Sequence, residues 1–277
     1  MTSNSEQVPV VLALASHDPS GCTGIQADIE TCASLGCHCT PVITSLCARD
    51  TCDIKDLRSV PTSFLIEQVR AILEDLPVKA VKLGFLAQTS HIEAIHTILR
   101  DYPDLPVVVE PVTQLANGSA AGAEALREAI KNLLLPLSTL ATPDLVEAYE
   151  LAQQADTLDA CAQEILECGG GYTLITGTRR TQQHYENRLY NPQGMIRAYR
   201  WQRLSVFSHG GGATLSASIS AYLAHGLRLM DAIEQGQNFT WHTLSASRRL
   251  GMGHSIPHRL FWADRNLGHK RGPGGGC

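Results

Sequence analysis

Apolar runs too short to be helices recur along this chain, and most are followed by a stretch with helical spacing. Val8–Ala15, Thr40–Cys47, Val78–Leu83, Val107–Glu110, Thr139–Ala141 and Tyr172–Thr176 are rich in β-branched and apolar residues. Runs of this kind fit strands buried on both faces. Helical patterns alternate with them at Gly24–Leu35, Pro61–Leu76, His91–Arg100, Ala120–Leu134, Asp144–Gln153 and Leu158–Cys168. In Pro61–Leu76, for example, Phe64, Leu65, Val69, Ile72 and Leu73 share one face. Two further strands, Tyr185–Tyr190 and Met195–Tyr199, flank the turn signal Asn191-Pro192-Gln193-Gly194, and helices over Gly212–His225 and Leu229–Leu250 follow. Strand–helix alternation predicts a three-layer α/β/α fold with a mainly parallel central sheet and an antiparallel edge. Ligands of such sheets bind beyond the strand carboxyl ends, so the loops after Ala15, Cys47, Leu83, Glu110, Ala141 and Thr176 are expected to ring one cleft.

No linker or repeat interrupts the 277 residues, which predicts a single domain over 1–277 with flexible tails at 1–7 and 268–277. A net charge of −5 gives no reason to expect nucleic-acid binding. The basic stretch from Arg248 (Arg248, Arg249, Arg259, Arg265, Lys270 and Arg271 against Asp264) reads as a solvated tail. No apolar run approaches the ~20 residues that span a membrane, and Val8–Ala15 has no cationic leader, so a cytoplasmic protein is expected. Of nine cysteines, six fall between Cys22 and Cys52 in no paired C-x-x-C spacing. They read as reduced thiols filling small apolar positions rather than as a metal site.

The segment SHGGGATLSAS, Ser208 to Ser218, is a glycine-rich turn entering a small-residue helix. Free backbone amides and the positive end of the helix dipole converge there, which suits a phosphate. Directly after Gly210, Gly211 and Gly212 comes Ala213, which offers no proton acceptor.

Several loops together carry a resemblance. SHDPSGCTGIQADIETCASLGCHCTPVITSLCARDT (Ser16–Thr51), VKLGFLA (Val81–Ala87), EPV (Glu110–Val112), TPDLVEA (Thr142–Ala148), SHGGGATLSAS and GMGHSIPH (Gly251–His258) occur in one order over nearly the whole chain. In that order and spacing the chain resembles the hydroxymethylpyrimidine/phosphomethylpyrimidine kinases of thiamine biosynthesis, members of the ribokinase-like superfamily. The resemblance implies a ribokinase-like fold, MgATP as phosphoryl donor, a small pyrimidine-type acceptor and a homodimer. Residue by residue, it implies that Gly210, Gly211 and Gly212 form the anion hole for the transferring phosphoryl group. Glu110 and Glu147 fall near Mg²⁺, and Asp144, Thr176 and His209 on the nucleotide side, His209 either as a hydrogen-bond donor or packed beneath the turn. Thr23, Asp28, Arg49, Phe85 and Val112 would face the substrate.

Five positions depart from the family pattern. Ala213 stands at the family's cysteine base, Arg49 at the Gln of A-Q-N-T, Thr23 at the Ala of G-G-A-G, Phe85 at the Met of I-G-M-L-A, and Thr176 at the Lys of V-K-G-G-H. A hydroxyl acceptor suffers most without a base, whereas a phosphate monoester is already ionised, and Arg49 suits an anion where it does not merely pair with Asp50 or Asp53. The departures therefore predict a preference for a phosphorylated acceptor. They also leave open a non-catalytic homologue that binds a pyrimidine, a pyridoxal-type ligand or a nucleotide in a regulatory role, or a kinase of another vitamin-like alcohol.

Overall fold

Strand β1 (Val10–His17) is buried along almost its whole length because it lies inside a sheet covered on both faces. The computed structural model describes residues 8–113, 120–205 and 208–263. In chain order the elements are β1, α1 (Gly24–Ser34), β2 (His38–Arg49), β3 (Ile54–Ser59), α2 (Thr62–Asp75), β4 (Val78–Leu83) and α3 (Thr89–Leu99). They continue with β5 (Val107–Val109), α4 (Ala120–Ala129), β6 (Leu140–Ala141), α5 (Leu145–Leu151) and α6 (Leu158–Glu167). The chain then forms β7 (Thr173–Arg180), β8 (His184–Asn191), β9 (Gly194–Gln202), α7 (Gly211–Ala224) and α8 (Leu229–Ser245). The strands make one sheet in the order β3-β2-β1-β4-β5-β6-β7-β8-β9. Pairing is parallel from β2 through β7, and antiparallel for β3 on β2 and for β8 and β9 beyond β7.

The two-residue period of the strands sorts their side chains into two cores. Leu12, Leu14, Val81, Leu83, Val107, Val109 and Ile175 face α2 to α6 on one side. Their neighbours in sequence, Val11, Ala80, Val108, Leu140 and Leu174, face α1, α7 and α8 on the other. This is the expected three-layer arrangement. Helix α7 is buried almost all round, and its Ala, Ser and Thr residues let it approach both the sheet and α8. Its serines spend their hydroxyls on its own turns, Ser216 on the Gly212 carbonyl at 3.0 Å and Ser220 on that of Ser216 at 2.8 Å.

Three expectations need correction. A strand at Ile54–Ser59 was not read from the sequence, because IKDLRS alternates poorly and carries three charges; it is an edge strand whose charged side chains discourage further pairing. The sheet therefore has antiparallel pairing at both edges. Pairing with β3 and β8 also carries β2 on to Arg49 and β7 on to Arg180, beyond the expected Cys47 and Thr176. Helix α8 ends at Ser245 rather than Leu250, since Arg248 turns away to bridge Ile256. The two expected tails, together with Arg265, Lys270 and Arg271, lie outside the described residues.

The basic stretch is not uniformly solvated either. Arg248 and Arg249 are exposed, but Arg259 is only 1% exposed. Its guanidinium donates to the Gly21 carbonyl at 3.0 Å, the Cys22 carbonyl at 2.6 Å, Thr214 Oγ1 at 3.0 Å and Glu30 Oε2 at 3.1 Å. It thereby fastens the β1–α1 loop to the first turn of α7. Replacement by methionine fills the volume but leaves two buried carbonyls without donors, and is expected to cost about 3–5 kcal/mol. Urea unfolding of Arg259→Met checks this; a midpoint equal to that of the parent would contradict the clamp.

Candidate active site

The glycine turn and the β1–α1 loop are built against each other. Gly210 has φ of +98°, and a Cβ there would lie 1.8 Å from the Cys22 carbonyl oxygen, so no other residue fits the turn. The facing loop is held by Asp18, whose Oδ1 accepts from the Ser20 amide at 2.9 Å and whose Oδ2 accepts from the Thr23 amide at 3.0 Å. With these anchors set, α7 starts at Gly211 and its N-terminal amides open onto a cleft of about 880 Å³.

Below the turn lies a buried charge cluster. Lys82 Nζ is 3.0 Å from Asp28 Oδ1, 3.2 Å from Asp28 Oδ2 and 3.1 Å from Glu110 Oε2. Two carboxylates share one ammonium. Burial therefore pushes the Asp28 carboxyl up to about 6 despite the lysine. Burial opposes the charge of Lys82 too, but the two acids outweigh it and hold the ammonium protonated. Ser216 Oγ lies 3.4 Å from Glu110 Oε2, while a Cβ at Gly212 would sit 2.8 Å from Glu110 Oε1. The missing side chain at Gly212 leaves that second oxygen open toward the cleft.

A second acidic group stands at the N-terminus of α5. Asp144 caps the helix in a reciprocal box: its Oδ1 accepts from the Glu147 amide at 2.8 Å, and Glu147 Oε2 accepts from the Asp144 amide at 2.8 Å. Desolvation, with a further push from Asp144, Glu110 and Glu150, raises the Glu147 carboxyl to about 9. Thr176 bridges Asp144 across the β7 strand end, and the Tyr185 hydroxyl bonds to its side chain. Arg180 and Tyr185 complete this end of the cleft.

The other end is formed from β2. Among the described residues Arg49 makes no ion pair with the Asp50 or Asp53 carboxylate; its Nε donates to the Asp50 backbone carbonyl at 3.5 Å, and Lys55 takes the Asp50 carboxylate at 2.8 Å. The Arg49 guanidinium instead turns into the cleft, 3.6 Å from Asp18 Oδ2, with its side chain only 8% exposed. Extension of β2 to position 49 is what aims it there. Thr23, Phe85, Val112 and Cys47 line the same cleft. His209 is not packed beneath the glycine turn but opens onto the cleft, with its ring centroid 5.9 Å from that of His254. Partial desolvation, with Arg49 and His254 nearby, keeps its pKa below the usual value.

Of the residues singled out in the sequence, Gly210, Gly211, Gly212, Ala213, Thr23, Arg49, Phe85, Val112, Glu110, Asp144, Glu147, Thr176 and His209 line this one cleft. Asp28 does not; it is fully buried and meets the cleft only through Lys82. Lys82, Asp18 and Arg259 received no role from the sequence. Lys82 and Asp18 stand inside quoted motifs, yet their tasks depend on partners from other loops. Among the described residues no three acidic, histidine or cysteine side chains converge as a metal cage.

A parallel sheet whose strand ends surround a helix N-terminus and flanking carboxylates is the architecture of ribokinase-like small-molecule kinases. The family model for phosphomethylpyrimidine kinase matches residues 18–258. The chain belongs to that family and is a phosphotransferase. The hydroxymethylpyrimidine/phosphomethylpyrimidine kinase of Mycobacterium tuberculosis is 33% identical over 262 residues, covering 91% of this chain and 94% of that protein. The protein of the same name from Rhizobium meliloti is 31% identical and covers 92% of this chain and 99% of its own. In structure, Bacillus subtilis pyridoxal kinase in its ADP complex matches with a TM-score of 0.82 at 25% identity, over 93% of this chain and 99% of that one. The phosphomethylpyrimidine kinase of Clostridium difficile matches with a TM-score of 0.69 at 26% identity, over 84% and 98%.

The Glu147 environment has a consequence for stability. The folded carboxyl keeps its proton up to about pH 9, against an ordinary value of 4.5, so the folded state holds one extra proton between those values. Stability from this group is complete below the lower value and is lost as pH rises through the upper one. Urea unfolding between pH 5 and 9 should therefore show stability falling with pH, and Glu147→Gln should flatten that slope. An unaltered slope in the variant would mean that Glu147 is ionised in the folded state.

Proposed function

We propose that this chain transfers the γ-phosphoryl group of ATP to a pyrimidine acceptor of thiamine biosynthesis, hydroxymethylpyrimidine or its monophosphate, and favours the monophosphate. The names of its relatives support the acceptor class. The observation that carries the preference is the Arg49 guanidinium turned into the cleft, in a site whose glycine turn is followed by Ala213.

The cleft divides by charge. The amides of Gly211 and Gly212 at the α7 N-terminus suit the phosphoryl group in transfer. Glu110 and Glu147 would hold Mg²⁺, the ion displacing the proton that Glu147 otherwise keeps, and two carboxyl groups without a full protein cage fit an ion that keeps waters and shares phosphate oxygens. Bound there, the ion supplies charge neutralisation for the nucleotide phosphates. Arg49 would meet an anionic acceptor group through Nη2, its Nε donating to the Asp50 carbonyl and its Nη1 lying beside Asp18. Phe85 and Val112 supply apolar surface for a ring.

In the reaction, an oxygen of the acceptor monophosphate forms the new bond to the γ-phosphorus. The bond from that phosphorus to the bridging oxygen breaks, and ADP leaves with the electron pair. No proton has to be removed from an acceptor that is already ionised, so positioning and charge carry the step. A free hydroxymethyl group lacks this advantage, because Ala213 takes no proton.

Steady-state transfer from MgATP to each acceptor tests the reading. The parent protein should show higher kcat/KM for the monophosphate than for the alcohol. Arg49→Gln should raise KM for the monophosphate by roughly tenfold or more while affecting the alcohol less. Ala213→Cys should speed the alcohol reaction, within the ~10²–10⁴ that a general base contributes. Equal kcat/KM for the two acceptors would sink the preference, and no transfer to either would favour the ligand-binding homologue.

A further inference from the structure

The cleft carries four cationic or potentially cationic side chains, Arg49, Lys82, Arg180 and His209, and they are not equally free. Lys82 is committed to Asp28 and Glu110. Arg49 lies against Asp18 at the β2 end, and His209 has Arg49 and His254 for neighbours. Along the sheet, β2 and β7 are separated by β1, β4, β5 and β6, five strand spacings or about 24 Å. A nucleotide's phosphates that reach toward α5 and β7 would meet Asp144 and Glu147, both acidic, and the neutral Thr176. Among the described residues that line that end of the cleft, the one permanent cation is Arg180. Arg180 is exposed and makes no ion pair among the described residues.

Its position is set by local geometry. Gly177 has φ of +70°, and a Cβ there would lie 3.3 Å from an Arg180 terminal nitrogen and 3.2 Å from the Tyr185 hydroxyl. The Arg180 side chain therefore folds back along β7, over Gly177, with its guanidinium carbon 5.8 Å from the Tyr185 ring centroid. Tyr185 is tied in turn to Thr176. Strand β7 is anchored from behind as well: the Gly177 amide donates to Asn187 Oδ1 at 3.0 Å, and Asn187 donates to Gln237 at 2.9 Å.

We propose that Arg180 is a phosphate-binding residue for the nucleotide, its guanidinium supplying at the β7 end the positive charge that Thr176 does not. The proposal rests on the kinase reading above and specifies which side chain neutralises the donor's phosphates. A guanidinium held on an aromatic face keeps its outer N–H groups free for phosphate oxygens.

Titration calorimetry with ADP, and with adenosine as a probe lacking phosphates, separates a phosphate contact from a structural role. Arg180→Ala should weaken ADP binding by roughly 10- to 100-fold, leave adenosine within about twofold, and lower the salt dependence of ADP binding. Thr176→Lys added to Arg180→Ala should restore part of the lost affinity, because it returns a cation to the same strand and the same end of the cleft. Arg180→Gln, which keeps the stem over Tyr185, gives the same reading if the alanine variant unfolds. Undiminished ADP affinity in Arg180→Ala or Arg180→Gln overturns this proposal alone, as does an equal loss for ADP and adenosine. No ADP binding by the parent protein would overturn it together with the kinase reading.

Discussion

The contact between the Gly210 turn and the Cys22 carbonyl, with Arg259 threaded beside it, is the constraint on which the rest of the site depends. It brings the N-terminus of α7 against the loop after β1, elements nearly two hundred residues apart in the chain. Without a donor as long and as richly equipped as arginine, the carbonyls of Gly21 and Cys22 would face each other's neighbourhood without partners. The same residue reaches Thr214, so the turn that would receive a phosphoryl group and the loop bearing Thr23 are fixed relative to one another before any ligand arrives.

Around that fixed point the charges are distributed by strand. The middle of the cleft, at the ends of β4 and β5, holds Lys82 and Glu110 in a self-compensating cluster. The β2 end carries Arg49 against Asp18, and the β7 end carries acids with Arg180 beside them. Ordering by strand follows from the parallel sheet, which sends every strand's carboxyl end the same way. The two terminal arginines have a simpler common origin. Each lies at the last position of a parallel-layer strand that an antiparallel neighbour prolongs.

The layered fold was legible in the sequence because buried strands and amphipathic helices leave strong periodic signals. Residues such as Leu12 and Val108, apolar on both sides of the sheet, could hardly stand elsewhere. Strand β3 left no such signal: none of its side chains is buried, Lys55, Asp56 and Arg58 are exposed, and its pairing with β2 is made by backbone groups that carry no residue identity. The glycines and acidic residues of the cleft were legible through their motifs, and Arg49 through its departure from one. Arg259 was misread because a lone arginine in a basic stretch looks the same whether solvated or buried; only distant carbonyls decide. Asp28 and Lys82 likewise belong to separate motifs, and nothing local states that each neutralises the other.

Helix α7 is sheathed on nearly every side by the sheet, α1 and α8, and its small side chains leave little room for it to tilt or slide. An element so confined cannot act as a moving part. Any closure over bound substrates would have to come from the periphery, from the strand extensions bearing Arg49 and Arg180 and from the loops near them. The amide dipoles at Gly211 and Gly212 would meanwhile stay aimed at one place throughout the turnover cycle. The geometry toward which the reacting atoms move would then be set by the interior of the protein, with no reorganisation needed at the moment of transfer.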